Sequence, residues 1–187
     1  MKKFLIALFV ILLSACSLGK ANTPTQKVEE LLDKYKNQDS EVLSDLDDSI
    51  PDEYSESDKK RYKDIMVNQY KNLEYKITNE SIEGNEAVVD AEITVYDYAS
   101  VMNNASEYLK NHIEEFQAEV KETVDEITNN DDYDQNKYNE YRLNKLEEAT
   151  DKKIYTIEFN LTKEDDEWKI EPLTDSDIQK LHGLYEE

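Results

Sequence analysis

The chain is short of cations, glycine, proline and cysteine, and each shortage excludes something. Of its 187 residues, 22 are Lys or Arg and 44 are Asp or Glu, a formal net charge of −22. Two carboxylates for every cation cannot neutralise a run of phosphates, so no nucleic-acid partner is expected. Three Gly and three Pro leave little material for turn-rich architectures and favour long elements. Gly19, Gly84 and Gly183 stand alone, so there is no phosphate-cradling glycine loop and no Gly-x-Ser-x-Gly elbow. Cysteine occurs once, as Cys16, which rules out an internal disulfide framework and a paired-cysteine zinc site. The longest apolar run, Phe4 to Leu13, is ten residues, about half of what a helix needs to cross hydrocarbon. What is present is aromatic: 13 Tyr, four Phe and one Trp. That load argues for a packed core despite a mean hydropathy of −0.85.

Met1-Lys2-Lys3, the apolar run and then Ser14-Ala15-Cys16 have the layout of an export signal. Leu13-Ser14-Ala15-Cys16 resembles the lipobox of bacterial lipoproteins. The resemblance implies a diacylglyceryl group on the Cys16 thiol and cleavage before Cys16. Residues 1–15 are then a signal peptide, 16–22 the lipidated cysteine and a tether, and 23–187 a single domain. The expected location is the outer face of the cytoplasmic membrane, with the lipid as the membrane contact. Losing Lys2 and Lys3 with no acid makes the mature chain more acidic still. Repulsion from an anionic bilayer then leaves the lipid as the single attachment.

Periodicity lays out the domain. Thr23-Pro24-Thr25-Gln26 reads as a helix start with a capping box, followed by Val28, Leu31, Leu32 and Tyr35 on one face. Val42, Leu43 and Leu46 mark a short second helix. Asp45 to Glu56 reads as an acidic loop, and Ser57 as the cap of a third helix carrying Tyr62, Ile65, Met66 and Tyr70. The period then becomes two. Leu73, Tyr75 and Ile77, and beyond Gly84-Asn85 the residues Val89, Ala91, Ile93 and Val95, form a hairpin with one apolar face. A helical stripe follows from Val101 through Tyr108, His112 and Phe116 to Ile127, and a second helix from Tyr138 to Ala149, a helical hairpin over about 100–151. Tyr155, Ile157, Phe159 and Leu161, a turn at Glu164 to Asp166, and Trp168 and Ile170 form a second hairpin. A short helix then ends at Gly183, with Leu184 packing back on Ile178.

The expected class is α+β: N-terminal helices on a curved antiparallel sheet of two hairpins, with a helical-hairpin insertion between them. Three leading helices, two hairpins and the Trp168-Lys169-Ile170 strand resemble the nuclear-transport-factor-2-like (cystatin-like) cone found in small lipoproteins of Gram-positive bacteria. The helical insertion departs from that pattern.

Candidate chemistry is sparse. Tyr75, Ile93, Tyr155, Phe159 and Trp168 lie on apolar strand faces, where they either line a cone pocket or fill the core. His112 sits on the helical stripe as a packed or interface histidine. His182 falls in a last helical turn, where a cation suits the helix dipole. Asn130, Asp132, Asp134 and Asn136 have calcium-loop spacing, but Gln135 and Tyr141 stand where that loop needs Gly and Glu. The segment reads as a solvated helix–helix loop, with no metal and no cofactor expected. The functional expectation is a non-catalytic, membrane-anchored binding module whose helical hairpin meets a protein partner or a second copy. The alternatives are a cone-pocket enzyme, isomerase- or hydrolase-like, and a solute- or cation-binding lipoprotein.

Overall fold

A computed structural model describes residues 22–117 and 133–186. Three helices come first: α1 (Pro24–Lys36), α2 (Ser40–Ser49) and α3 (Glu56–Lys71). They are followed by β1 (Glu74–Glu83), β2 (Glu86–Tyr96) and α4 (Tyr98–Asn111), then a 3₁₀ turn (Ile113–Phe116) and α5 (Gln135–Glu147). β3 (Lys152–Glu164), β4 (Glu167–Ile170) and α6 (Asp175–His182) complete the order. The strands form one antiparallel sheet in the order β1-β2-β3-β4. The fold is therefore α+β, with helices packed on a curved sheet.

Strict alternation sets the sheet's two faces. Ala87, Val89, Ala91, Ile93 and Val95 of β2 and Tyr155, Ile157, Phe159 and Leu161 of β3 are all buried. Their neighbours Glu92, Thr156, Glu158 and Asn160 are exposed. Val28 and Leu32 of α1 and Leu181 of α6 cover the apolar face, so the first core lies between these helices and the sheet. The other face is open and polar, and Ile154 is the large apolar side chain exposed there.

Each hairpin turn follows from its two residues. Gly84, with φ +65°, occupies the first turn position after Glu83, where a β-branched or bulky residue would be strained. Asp165 and Asp166 both have positive φ between paired Glu164 and Glu167, the backbone of a type I′ turn. A bulge between Ile77 and Asn79 shifts the register of β1. Beyond it, Glu80 Oε2 accepts from Thr25 N at 2.9 Å, placing a carboxylate at the N-terminus of α1.

Several boundaries differ from the sequence expectation. α2 runs through Ser49, because Val42 and Leu46 are both buried one turn apart and anchor it, while Lys63 pairs with Asp47 at 2.6 Å. The acidic loop therefore begins at Ile50 rather than Asp45. α3 is capped by Ser55, not Ser57: Ser55 Oγ accepts from Asp58 N at 3.2 Å. Thr23 caps α1 as expected, but Gln26 Nε2 turns to Glu30 at 3.5 Å instead of closing a capping box. The long stripe does not form one helix up to Phe116. α4 stops at Asn111, His112 leaves helical backbone at φ −137°, and the 3₁₀ turn follows. This break places the Phe116 ring edge-on against Tyr138 and Tyr141 of α5, with centroids 5.8 and 5.4 Å away. Val120, Val124 and Ile127 lie outside the described residues.

α3 joins the two halves of the molecule. Tyr62, Ile65, Met66 and Tyr70 pack with Tyr98 of α4 and Leu143 and Leu146 of α5 in a second core. A third, aromatic cluster of Ala105, Phe116 and Tyr138 holds the far part of the α4–α5 pair together.

Candidate functional site: the groove at the root of the helical pair

Asp97 and Asp151 stand where the chain leaves the sheet and returns to it. Asp97 caps α4, accepting from Ser100 N at 3.1 Å and Ser100 Oγ at 2.7 Å. Its own N–H donates to Asp151 O at 2.9 Å, closing the base of the insertion. Between α4 and α5 above this tie lies a groove of about 290 Å³. Val101, Ala105 and Ala149 supply its apolar wall; Asn104, Tyr141 and the Lys145–Glu148 ion pair, at 2.8 Å, supply polar groups. The hydrogen bond that Lys145 Nζ donates to Glu148 holds Lys145 above its usual pKa, so it remains an ammonium ion and not a free base. The volume is near the lower limit for sites that enclose a small molecule.

An aromatic ladder runs along the same pair. His112 stacks on Tyr108 at 4.1 Å, Tyr108 stacks on Tyr141 at 4.9 Å, and Lys145 Nζ lies 5.8 Å from the Tyr141 centroid. All four side chains are half-buried. The Tyr108 phenol donates to Glu115 at 2.9 Å, which raises its pKa. On the inner side, the Arg142 guanidinium lies over Tyr138 and Tyr54, at 5.0 and 5.6 Å. It donates to Tyr54 Oη at 3.2 Å and Asn139 Oδ1 at 2.6 Å. Burial raises the Tyr54 phenol, and the nearby Arg142 charge opposes that.

Below the groove is a closed polar node. Gln69 is 1% exposed. Its Oε1 accepts from Tyr96 N at 2.8 Å, and its Nε2 donates to Tyr96 O at 3.2 Å and His182 O at 3.0 Å. One amide thus ties α3 to the end of β2 and to α6. Sequence reading missed Gln69; its position three and four residues beyond Met66 and Ile65, on the buried face of α3, was the available signal. His182 is not the capping cation expected from its place in the helix. It is 8% exposed, burial lowers its pKa to about 4, and it is neutral at pH 7. Its Nε2 shares a 2.7 Å hydrogen bond with Tyr70 Oη, whose own ionisation burial pushes far up. The end of α6 is satisfied by backbone instead: Gly183 N donates to Lys180 O at 3.0 Å and Leu184 N to Gln179 O at 2.9 Å, a Schellman closure.

The residues expected to line a cone pocket are packing residues. Ile93 and Phe159 are 0% exposed, and Tyr155 and Trp168 are also buried, all within the first core under α1 and α6. Tyr75 packs at the edge of the same core and donates from its phenol to Asp33 at 2.9 Å. None of the five lines the groove. The helices fill the apolar sheet face where a cone would open. Asp134, from the acidic segment, is an N-cap, accepting from Asn136 N at 2.9 Å and Lys137 N at 3.3 Å. Asn129 to Asp132 and Cys16 lie outside the described residues. Among the described residues no group of three metal-ligating side chains converges, and no helix is long and apolar enough to cross a membrane.

No protein-family model and no curated protein matches the chain. Among solved structures it is similar to one from Bacillus subtilis described as a "putative lipoprotein (ycdA)", at 16% identity and a TM-score of 0.42. The match covers 86% of this chain and 48% of that one, so the chain spans about half the length of the protein it matches.

Proposed function

We propose that this protein is a lipid-anchored extracytoplasmic binding module, held at the outer face of the cytoplasmic membrane through Cys16, with the α4–α5 pair as its partner surface. The observation that carries the anchor is the Leu13-Ser14-Ala15-Cys16 run directly after a ten-residue apolar segment and two lysines. Two or more acyl chains on one residue give durable attachment, since each buried CH₂ contributes about 0.8 kcal/mol. Confinement to a surface raises the effective concentration of the domain for anything else held there. The half-exposed ladder His112–Tyr108–Tyr141 and the adjoining groove support the partner surface, because aromatic side chains combine large contact area with low entropic cost. A non-catalytic role is supported by His182, a buried imidazole tied to Tyr70 and away from the groove lining. The helices-first order around a four-stranded sheet supports grouping the domain with the nuclear-transport-factor-2-like cones, with α4–α5 as an insertion.

The test is the mass of the N-terminal peptide from membrane-extracted protein, together with fractionation of a Cys16→Ala chain. A diacylglyceryl-bearing Cys16 and release of the variant are expected. An unmodified Cys16, or a variant that stays in the membrane after its signal is removed, would end the proposal.

A further inference from the structure

Asn22 fixes where the chain enters the fold. Its side chain accepts from Trp168 N at 3.3 Å and donates to Asp166 O, bridging the β3–β4 turn. The β1–β2 turn lies at the same end of the sheet: Glu86 of β2 pairs with Thr162 of β3, and Lys163 N donates to Asn85 O at 2.8 Å. At the opposite end Tyr96 pairs with Lys152, and there α4 and α5 are rooted. The two ends are separated by the length of β2, 11 residues, whose roughly ten steps of about 3.3 Å span ~33 Å.

We propose that the pole formed by the two hairpin turns faces the lipid surface, and that the α4–α5 pair with its groove points away from it. The inference rests on the anchor reading for Cys16. Six residue steps separate Cys16 from Asn22, a reach of at most ~20–22 Å when fully extended. Turning the molecule over would put the helical pair against the lipid and lift Asn22 some ~33 Å above it, further than the tether extends. Tether length sets which pole is near, and charge sets the stand-off. The turn pole carries Glu83, Glu86, Glu164, Asp165, Asp166 and Glu167. Among the described residues, Lys163 and Lys169 beside these turns are already paired, Lys163 with Asp166 at 3.3 Å and Lys169 with Glu164. Close to anionic lipid this pole is repelled within a Debye length, so it does not rest on the lipid but is held off it, against that repulsion, by the short tether.

Energy transfer from tryptophan to a dansyl lipid tests the orientation. Trp168, the single tryptophan, already reports on the near pole. In a Trp168→Phe background, Asn85→Trp gives a second near reporter, and Asn104→Trp, an exposed groove residue, gives a far one. The full chain, purified with its lipid, is reconstituted into vesicles of phosphatidylcholine with one-third phosphatidylglycerol. Chain that does not float with the vesicles is coupled through Cys16 to a maleimide-bearing lipid. Failed flotation then counts against lipidation, while the orientation is still read. Dansyl lipid is expected to quench Trp168 and Asn85→Trp at least twofold more than Asn104→Trp. Equal quenching, or stronger quenching at Asn104→Trp, overturns the orientation.

Discussion

The side chain of Gln69 hydrogen-bonds both backbone groups of Tyr96, accepting from its N–H at 2.8 Å and donating to its C=O at 3.2 Å. This imitates the pairing a neighbouring strand would give, at the point where β2 ends and α4 begins. A leucine at this position would fit the volume but leave Tyr96 N–H, Tyr96 C=O and His182 C=O without this partner. Each stranded buried group costs on the order of 1–3 kcal/mol. Gln69→Leu is therefore expected to destabilise by about 3 kcal/mol or more, read as a lowered denaturant midpoint at unchanged slope. Gln69→Glu should be worse at neutral pH than at pH 4, because an ionised second oxygen would face two carbonyls.

Gly183 and Gly84 make a matched pair. Both have positive φ, +71° and +65°. A Cβ on Gly84 meets nothing within 4 Å, whereas one on Gly183 comes 2.1 Å from Tyr96 O and 2.4 Å from Gln69 Nε2. Gly84→Ala is expected to cost only the left-handed backbone strain, about 1–2 kcal/mol. Gly183→Ala must also open the Gln69 node, and is expected to exceed about 4 kcal/mol or prevent folding. Thermal unfolding of the two variants side by side checks the difference. Similar shifts in both would mean the node at Gly183 gives way easily.

These two cases also separate what was legible in the sequence from what was not. Gly183 reads as a helix stop because glycine alone adopts the left-handed cap cheaply, and Tyr155, Ile157, Phe159 and Leu161 read as a strand because one face is buried throughout. Local chemistry carries both signals. The close approach of Tyr96 O to Gly183, the burial of Gln69 and the groove between α4 and α5 depend on residues far apart in the chain, which no local period records. The end of α4 fails for a related reason. The apolar spacing continues through Tyr108, His112 and Phe116, while the helix breaks at His112 and Phe116 packs against α5. His182 illustrates the opposite hazard: its place in a last turn suggests a cation, while burial beside Tyr70 makes it a neutral partner.

The third cluster is small enough to open without the sheet. Phe116 touches Tyr108, Tyr138 and Tyr141 edge-on, and its neighbours in the cluster are mostly half-buried. Phe116→Ala is expected to cost about 3 kcal/mol locally. Amide exchange should then quicken in the second half of α4 and the first turns of α5 while β2 and β3 stay protected. Loss of protection in the sheet as well would show that the helical pair and the sheet fold as one cooperative unit.

Acid should weaken the fold through His182. Its pKa is lowered to about 4 in the folded chain by burial, against about 6.5 when unfolded. The unfolded state therefore binds the proton first as pH falls. The contribution to stability is fully present above pH 6.5, declines by about 1.4 kcal/mol per pH unit below it, and levels off below pH 4. The total is about 3 kcal/mol. His182→Leu removes that titration while leaving the carboxylates to titrate as before. The variant starts less stable, since Tyr70 Oη loses its 2.7 Å partner, but its stability should fall less between pH 6.5 and 4. Denaturant unfolding of both chains at pH 7, 5.5 and 4 measures the difference. Parallel pH profiles would show that the imidazole takes up its proton in place, with Tyr70 or water accommodating the charge.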